Sequence, residues 1–210
     1  MKLLQIDSSP MGEAAISRLL TKEFAQRWLT ANPQGTVVTR DLARNAIPVI
    51  DAAWVRANYT PKELRTHEQN QLLKLSTELI AELLDADEYV IGMPIHNWGP
   101  PSSFKLWVDH IVTPSSNSEK PLTGKHATFI IAAGRVYACG SKDASKNHVV
   151  PWLHTLFGSL GVADMQFVLV DGTRETNNGK IDRETFLAPH VEAIQAFFAE
   201  VPASVEAYGS

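Results

Sequence analysis

The chain has 210 residues, of which 44% are hydrophobic, and this predicts one large α/β domain over residues 1–210. Its formal net charge of -4 and the shortness of its basic runs argue against nucleic acid or an anionic membrane as a partner. A single cysteine, a start without a signal-peptide pattern and the lack of a membrane-length apolar run predict a cytoplasmic protein.

The first part of the chain predicts two strands and three helices. A strand over residues 3–6 leads through a turn into a helix over residues 13–31, and a second strand covers residues 36–39. A short helix around residues 52–57 and a longer one over residues 67–84 follow. Ser9 in the first turn and Ser17 on the first helix predict a phosphate site at the amino end of that helix, although Ser9 also suits a purely capping role.

The remaining sequence alternates strands with helices. Strands are predicted over residues 89–92, 127–132 and 165–170, and helices over residues 104–112, 147–160 and 183–201. Such alternation is typical of a parallel sheet covered by helices on both faces. Neither GxGxxG nor a P-loop pattern occurs, which argues against a Rossmann dinucleotide domain and a P-loop ATPase. The prediction is a three-layer flavodoxin-like fold with strand order 2-1-3-4-5.

In that strand order, ligands bind where the order reverses, between strands one and three. A mononucleotide there would place its phosphate near Ser9 and Ser17, and flavin mononucleotide (FMN) has the phosphate and the flat ring for such a crevice. Its ring would lie between two loops that follow strands three and four. These loops contain Pro94, Ile95, His96, Asn97, Trp98 and Ala133, Gly134, Arg135, Val136.

Four segments in the expected order resemble a known family. They are SSPMGEAAISR, DLARNAIPVID, LSTELIAELLDADEYVIGMPIHNW and VVPWLHTLFGSLGV, and together they span nearly the whole chain. The chain resembles the FMN-dependent NADH-azoreductases, or NADH:quinone oxidoreductases, of the flavodoxin-like fold. The resemblance implies tightly but non-covalently bound FMN, NADH or NADPH as co-substrate, no metal, and a homodimer with the flavin near the subunit boundary. It maps the phosphate loop onto Ser9, Ala15, Ile16 and Ser17, and the ring loops onto the residues named above.

The sequence departs from the family pattern at several of these positions. Ala15 stands where the phosphate loop usually has a first serine, and His96 stands where the ring loop usually has tyrosine. The second ring loop has Arg135 and one glycine displaced and a second glycine lost. The loop over residues 113–123 is short and has no aromatic residue. We therefore expect the substrate range to differ from that of other members.

The resemblance implies that two electrons pass from NAD(P)H through the flavin to a quinone or azo compound, with both substrates using one pocket in turn. No side chain is assigned as catalytic, because the flavin supplies the reactive centre. Backbone N–H groups from Gly134 to Val136, with Asn97 or His96, are candidates to stabilise the charge of the reduced flavin. The predicted substrate-binding residues are Trp98, Phe157 and Tyr59.

Three alternatives remain open from the sequence. The first is a flavodoxin-like protein whose FMN site is altered or lost, and the second is a non-catalytic electron carrier. The third is a hydrolase, because members of the broader family have carried an acyl carrier protein phosphodiesterase label. Hydrolysis is disfavoured, since no GxSxG pattern occurs and Asp109 and His110 are neighbours on a predicted helix, where they point in different directions.

Overall fold

Five parallel strands form one sheet in the order β2-β1-β3-β4-β5, as the sequence predicted. The structure is a computed structural model, and it describes residues 1–114 and 119–199. The strands are rich in β-branched and other apolar residues, as expected for strands covered on both faces. Their bounds are Lys2–Asp7 (β1), Thr36–Asp41 (β2), Glu88–Pro94 (β3), His126–Ala132 (β4) and Asp164–Val170 (β5).

Helices connect the strands and cover both faces of the sheet. Short 3-10 turns lie at Gly12–Ala14, Lys62–Leu64 and Ala144–Lys146. Among the described residues, no helix is of a length and apolarity that could cross a membrane. The α-helices are Ile16–Ala31 (α1), Ala52–Tyr59 (α2), His67–Leu72 (α3), Lys74–Asp85 (α4), Ser102–Ile111 (α5), Val149–Ser159 (α6), Arg174–Asn177 (α7) and Arg183–Ala199 (α8).

The hydrophobic core has two parts, one on each face of the sheet. On one face, Leu3, Val90 and Ile130 pack against apolar residues of α1 and α8. On the other face, Tyr89 and Phe129 are fully buried against apolar residues of α4, α5 and α6. Neighbouring residues of a strand thus point to opposite faces of the sheet. Because both faces are buried, the sequence of each central strand is a continuous apolar run.

The structure corrects three element boundaries. The helix predicted over residues 13–31 begins as an α-helix only at Ile16, because Ala15 has an extended backbone that ends the preceding 3-10 turn. The helix predicted over residues 67–84 is interrupted at Leu73, whose buried side chain packs with Trp54 of α2. Strand β3 continues to Pro94, so the ring loop starts later than predicted. The predicted end of the last helix at residue 201, and residues 115–118 of the 113–123 loop, lie outside the described residues.

Candidate functional site

Three adjoining cavities lie at the carboxyl ends of the strands, where the strand order reverses between β1 and β3. We name them by the elements they border. The β1 cavity, of about 200 Å³, and the β4 cavity, of about 280 Å³, share Ile95 and Gly134 in their walls. The α5–α6 cavity, of about 620 Å³, shares His96 with the first and Asn97 with the second. The three cavities therefore adjoin, and we refer to them together as the crevice.

The sequence-predicted residues of two loops meet in the β1 cavity. Its wall contains Ser9, Ala15, Ile16 and Ser17 from the first loop and Pro94, Ile95 and His96 from the loop after β3. In the β4 cavity, Asn97 and Trp98 face Gly134 and Arg135. Residues that are far apart in the sequence are thus neighbours here, because parallel strands end at the same edge of the sheet.

The amino end of α1 offers unpaired donors to the β1 cavity. Ala15 is the N-cap residue and has no side chain that can accept a hydrogen bond. The first backbone bond of the helix runs from Leu19 N to Ala15 O, at 3.1 Å, so the N–H groups of Ile16, Ser17 and Arg18 have no acceptor among the described residues. Orphan N–H groups together with the positive end of the helix dipole form an anion site, and a phosphate is its usual ligand.

A buried ionic cluster fixes the position of this helix end. Arg18 Nη1 lies 2.8 Å from Asp41 Oδ2 and 3.8 Å from Asp7 Oδ2. Burial raises the pKa of Asp7, although hydrogen bonds from Thr21 and Gln5 oppose the shift. Burial also tends to raise the pKa of Asp41, but the hydrogen bond from Arg18 and two backbone N–H groups lower it overall. The cluster ties α1 to the ends of β1 and β2, where the anion site lies.

A tight turn shapes the loop after β3. His96 N donates to Gly99 O at 2.9 Å, and Gly99 N donates to His96 O at 3.0 Å. Asn97 and Trp98 lie between them with φ values of 49° and 67°. Asparagine tolerates this left-handed region, whereas tryptophan does so at a cost of about 1–3 kcal/mol. The turn points the Asn97 side chain and the half-exposed Trp98 indole into the crevice.

The loop after β4 is held by the loop after β5. Ala133 N donates to Val170 O at 2.9 Å, and Gly172 N donates to Arg135 O at 3.2 Å. Asp171 Oδ2 accepts from the backbone N–H groups of Tyr137 and Ala138. Within the described chain, the N–H groups of residues 134–136 have no acceptor. The loop therefore presents three free donors to a ligand while its own position is fixed.

Four sequence-predicted residues do not line the crevice. Phe157 is fully buried, with its ring 4.9 Å from that of Phe129, so it is a core residue and not a pocket wall. Tyr59 is 72% exposed at the end of α2 and lines none of the three cavities. Ala133 is buried and Val136 is half-exposed, and neither lines any of the three cavities.

Several lining residues were missed from the sequence. Lys105, His148 and Trp152 border the α5–α6 cavity, and Tyr137 and Arg174 border the β4 cavity. Arg174 follows the carboxyl end of β5 by four positions, so strand position alone could have indicated it. The others depend on how α5 and α6 lie beside the loops, and periodicity does not show this.

The Asp109-His110 pair has no hydrolytic geometry. Asp109 lies at the surface and pairs with Lys105 at 2.5 Å. His110 is buried, with Nδ1 2.8 Å from Ser76 Oγ and Nε2 2.9 Å from the carbonyl oxygen of Pro48. Ser76 also accepts a hydrogen bond from Trp54 Nε1. This serine and histidine are committed to holding α2 and α5 together, away from the crevice.

The sheet order and the crevice at its switch point define the chain as a flavodoxin-like α/β protein. The sequence model of the Flavodoxin_2 family, described as a flavodoxin-like fold, matches residues 1–197. The chain belongs to this family, as the resemblance predicted, and the curated relatives it matches include quinone oxidoreductases.

Two curated relatives match almost the whole chain. FMN-dependent NADH:quinone oxidoreductase 3 of Burkholderia lata is 57% identical over 205 residues, which cover 94% of this chain and 99% of the relative. FMN-dependent NADH:quinone oxidoreductase of Acidobacterium capsulatum is 42% identical over 202 residues, covering 93% and 98%. The solved structure of an FMN-dependent NADH-azoreductase from Bacillus anthracis in complex with FMN has a TM-score of 0.81 at 20% identity, covering 94% of this chain and 98% of that one. This last similarity shows the fold.

Proposed function

We propose that this chain is an FMN-dependent oxidoreductase that passes two electrons from NADH or NADPH to quinones or azo compounds. The observation that carries the proposal is that the β1 and β4 cavities share Ile95 and Gly134 in their walls. The unpaired N–H groups of α1 thus lie beside a space between the loops after β3 and β4 that also has unpaired donors. The names of the two quinone oxidoreductase relatives support the same activity.

The residues present fit FMN. The free N–H groups of Ile16, Ser17 and Arg18, with the Ser9 and Ser17 hydroxyls, would hold its phosphate without the serine that Ala15 replaces. The free N–H groups of residues 134–136 and the Asn97 side chain would hold the polar edge of its ring. When bound, FMN supplies the two-electron chemistry, accepting hydride equivalents and passing them on.

The protein's own contribution is binding, orientation and exclusion of water. Trp98 and Ile95 border the β4 cavity with apolar surface, which would shield the ring and leave room for one flat substrate at a time. One crevice for donor and acceptor supports a ping-pong order, in which oxidised nicotinamide leaves before the quinone or azo compound enters. No side-chain proton donor is required, since solvent can supply protons at the open α5–α6 cavity.

We also propose a homodimer with the site near the subunit boundary. The α5–α6 cavity is open to solvent, and its wall combines Trp152 and Pro100 with polar groups of Lys105 and His148. A large, open, partly apolar space beside a ligand site is a surface that a second subunit would cover.

Visible spectroscopy tests the proposed function. Purified protein is mixed with excess FMN, desalted, and then treated with NADH without oxygen, followed by a quinone. We expect retained flavin absorbance that NADH bleaches and the quinone restores. Riboflavin, which lacks the phosphate, is the matched control and should be lost on desalting because it cannot use the anion site at α1. A colourless protein after FMN treatment, or retained FMN that neither NADH nor NADPH reduces, would reject the proposal.

A further inference from the structure

Arg174 is an unassigned positive charge in the wall of the β4 cavity. It is exposed, and its side chain forms no ion pair or hydrogen bond within the described residues. The two acidic residues near it in the sequence make contacts with other groups. Glu175 pairs with Lys180 at 3.0 Å, and Asp171 directs one oxygen to two backbone N–H groups while its other oxygen is buried without a partner. Within the described residues, Arg174 therefore has no carboxylate in direct contact.

Gly134 allows Arg174 to lie against the loop after β4. A Cβ at Gly134 would stand 3.2 Å from both Cγ and Nε of Arg174, so a side chain there would require the arginine to shift by a few tenths of an ångström. The backbone around it is fixed, because Thr173 N donates to Ala133 O at 3.0 Å. The Arg174 side chain thus lies beside Gly134, whose unpaired N–H, like that of Arg135, belongs to a residue lining the same cavity.

Arg135, unlike Arg174, forms an ion pair with a carboxylate. Arg135 Nη1 lies 3.3 Å from Asp143 Oδ2, and Asp143 also pairs with Lys146. The partner carboxylate, which Lys146 shares, offsets part of the positive field that Arg135 would direct into the cavity. Of the two arginines in this wall, Arg174 is the one without a carboxylate partner among the described residues.

We infer that Arg174 is a positioning and charge-stabilising residue for the polar edge of a bound flavin, and that it favours the reduced, anionic form over the oxidised, neutral one. This inference rests on the proposed function. A cation close to a bound flavin stabilises the state in which negative charge develops, and it has little effect on the neutral state. Arg174 should therefore raise the reduction potential of the flavin.

The test measures the reduction potential and the two dissociation constants of FMN in four variants. Arg174→Gln should weaken the binding of reduced FMN relative to oxidised FMN by about ten-fold, equivalent to a potential about 30 mV lower for a two-electron couple. Arg174→Lys keeps the positive charge, so its reduction potential should be close to that of the wild type. Arg135→Gln should have a smaller effect, and Arg56→Gln, an exposed arginine on α2, should have none.

The outcomes separate the inference from the proposed function. If wild-type protein retains FMN and Arg174→Gln leaves the potential unchanged, the inference is wrong and the proposed function stands. If the flavin reduction potential is as low in Arg174→Lys as in Arg174→Gln, the charge of residue 174 does not set the potential, and the inference is also wrong. If the wild-type protein does not retain FMN, both the inference and the proposed function are overturned.

Discussion

Arg18, Asp7 and Asp41 show how a buried charge can hold a loop in place. Arg18 and Asp41 pair at 2.8 Å almost out of contact with water, and Asp7 lies further away at 3.8 Å. The two carboxyl groups respond in opposite directions, because hydrogen bonds to Asp41 outweigh its burial whereas burial dominates at Asp7. Their ionisation should therefore affect folding stability with opposite signs.

Replacing Asp41 with Asn should destabilise the protein by about 3 kcal/mol at neutral pH, since Arg18 loses its close partner in the interior. The pKa of Asp41 is lowered by folding, so its stabilisation is complete above its unfolded value near pH 4 and disappears as the pH falls through the folded value. The stability difference between wild type and Asp41→Asn should shrink on acidification, as measured by urea unfolding at several pH values.

Asp7→Asn is the matched control. The pKa of Asp7 is raised by folding, so its ionisation lowers stability as the pH rises from the unfolded value towards the folded one. The stability of wild type relative to Asp7→Asn should therefore decrease over that range, opposite to the trend for Asp41→Asn. Parallel trends for the two variants would contradict the assigned directions.

At the level of single residues, position relative to strand ends could be predicted, but side-chain contacts could not. Ser9, Asn97 and Gly134 follow strands and lie in the crevice, as strand position indicated. Phe157 was predicted to bind substrate but lies in the core, because helical periodicity alone does not show which face of a helix meets the core. The ion pair of Arg135 with Asp143 was missed because it depends on the path of the loop between them.

Among the elements, α1 is a helix whose uncapped amino end borders a cavity. Asp or Asn at the N-cap position accepts a hydrogen bond from the first turn, whereas Ala15 leaves those donors to a ligand. Ala15→Asp and Ala15→Asn should each stabilise the FMN-free protein by about 1 kcal/mol in urea unfolding. The added side chain would extend into the β1 cavity that Ala15 borders.

The two variants should differ in FMN binding. Asp adds a negative charge beside the proposed phosphate site and Asn does not, so Ala15→Asp should bind FMN at least about ten-fold more weakly than Ala15→Asn. Quenching of flavin fluorescence on titration measures this difference. Equal affinities in the two variants would argue that the phosphate does not bind at α1.

The elements that could be predicted are those with strong apolar patterns. All five strands were predicted: β1, β3 and β4 from the apolar runs that burial on both faces produces, and the edge strand β2 from its β-branched residues. The break at Leu73 was not, because residues on both sides of it have good helix propensity and the break reflects packing against α2. Helix α7 was also missed, since a helix of four residues is too short to show a periodicity.

For the whole molecule, the open α5–α6 cavity leads to a prediction about assembly. Sedimentation velocity over a range of concentrations should give a mass twice the 23.1 kDa of the chain, because a second subunit would cover the partly apolar wall beside Trp152. A mass of one chain at all concentrations would contradict the homodimer. The sheet order could be predicted from the sequence, but this surface could not, since it arises where two helices and a loop adjoin.

The turn from His96 to Gly99 has a consequence for the timing of recognition. Its reciprocal hydrogen bonds and left-handed residues give the loop one shape before any ligand is present. The loop therefore loses its conformational entropy when the chain folds, and binding does not have to order it. The backbone strain at Trp98 lowers the stability of the free protein, and in return a flat molecule entering the crevice meets a rigid surface. The strain at this turn thus lowers the stability of the folded protein and also lowers the entropic cost of binding a ligand.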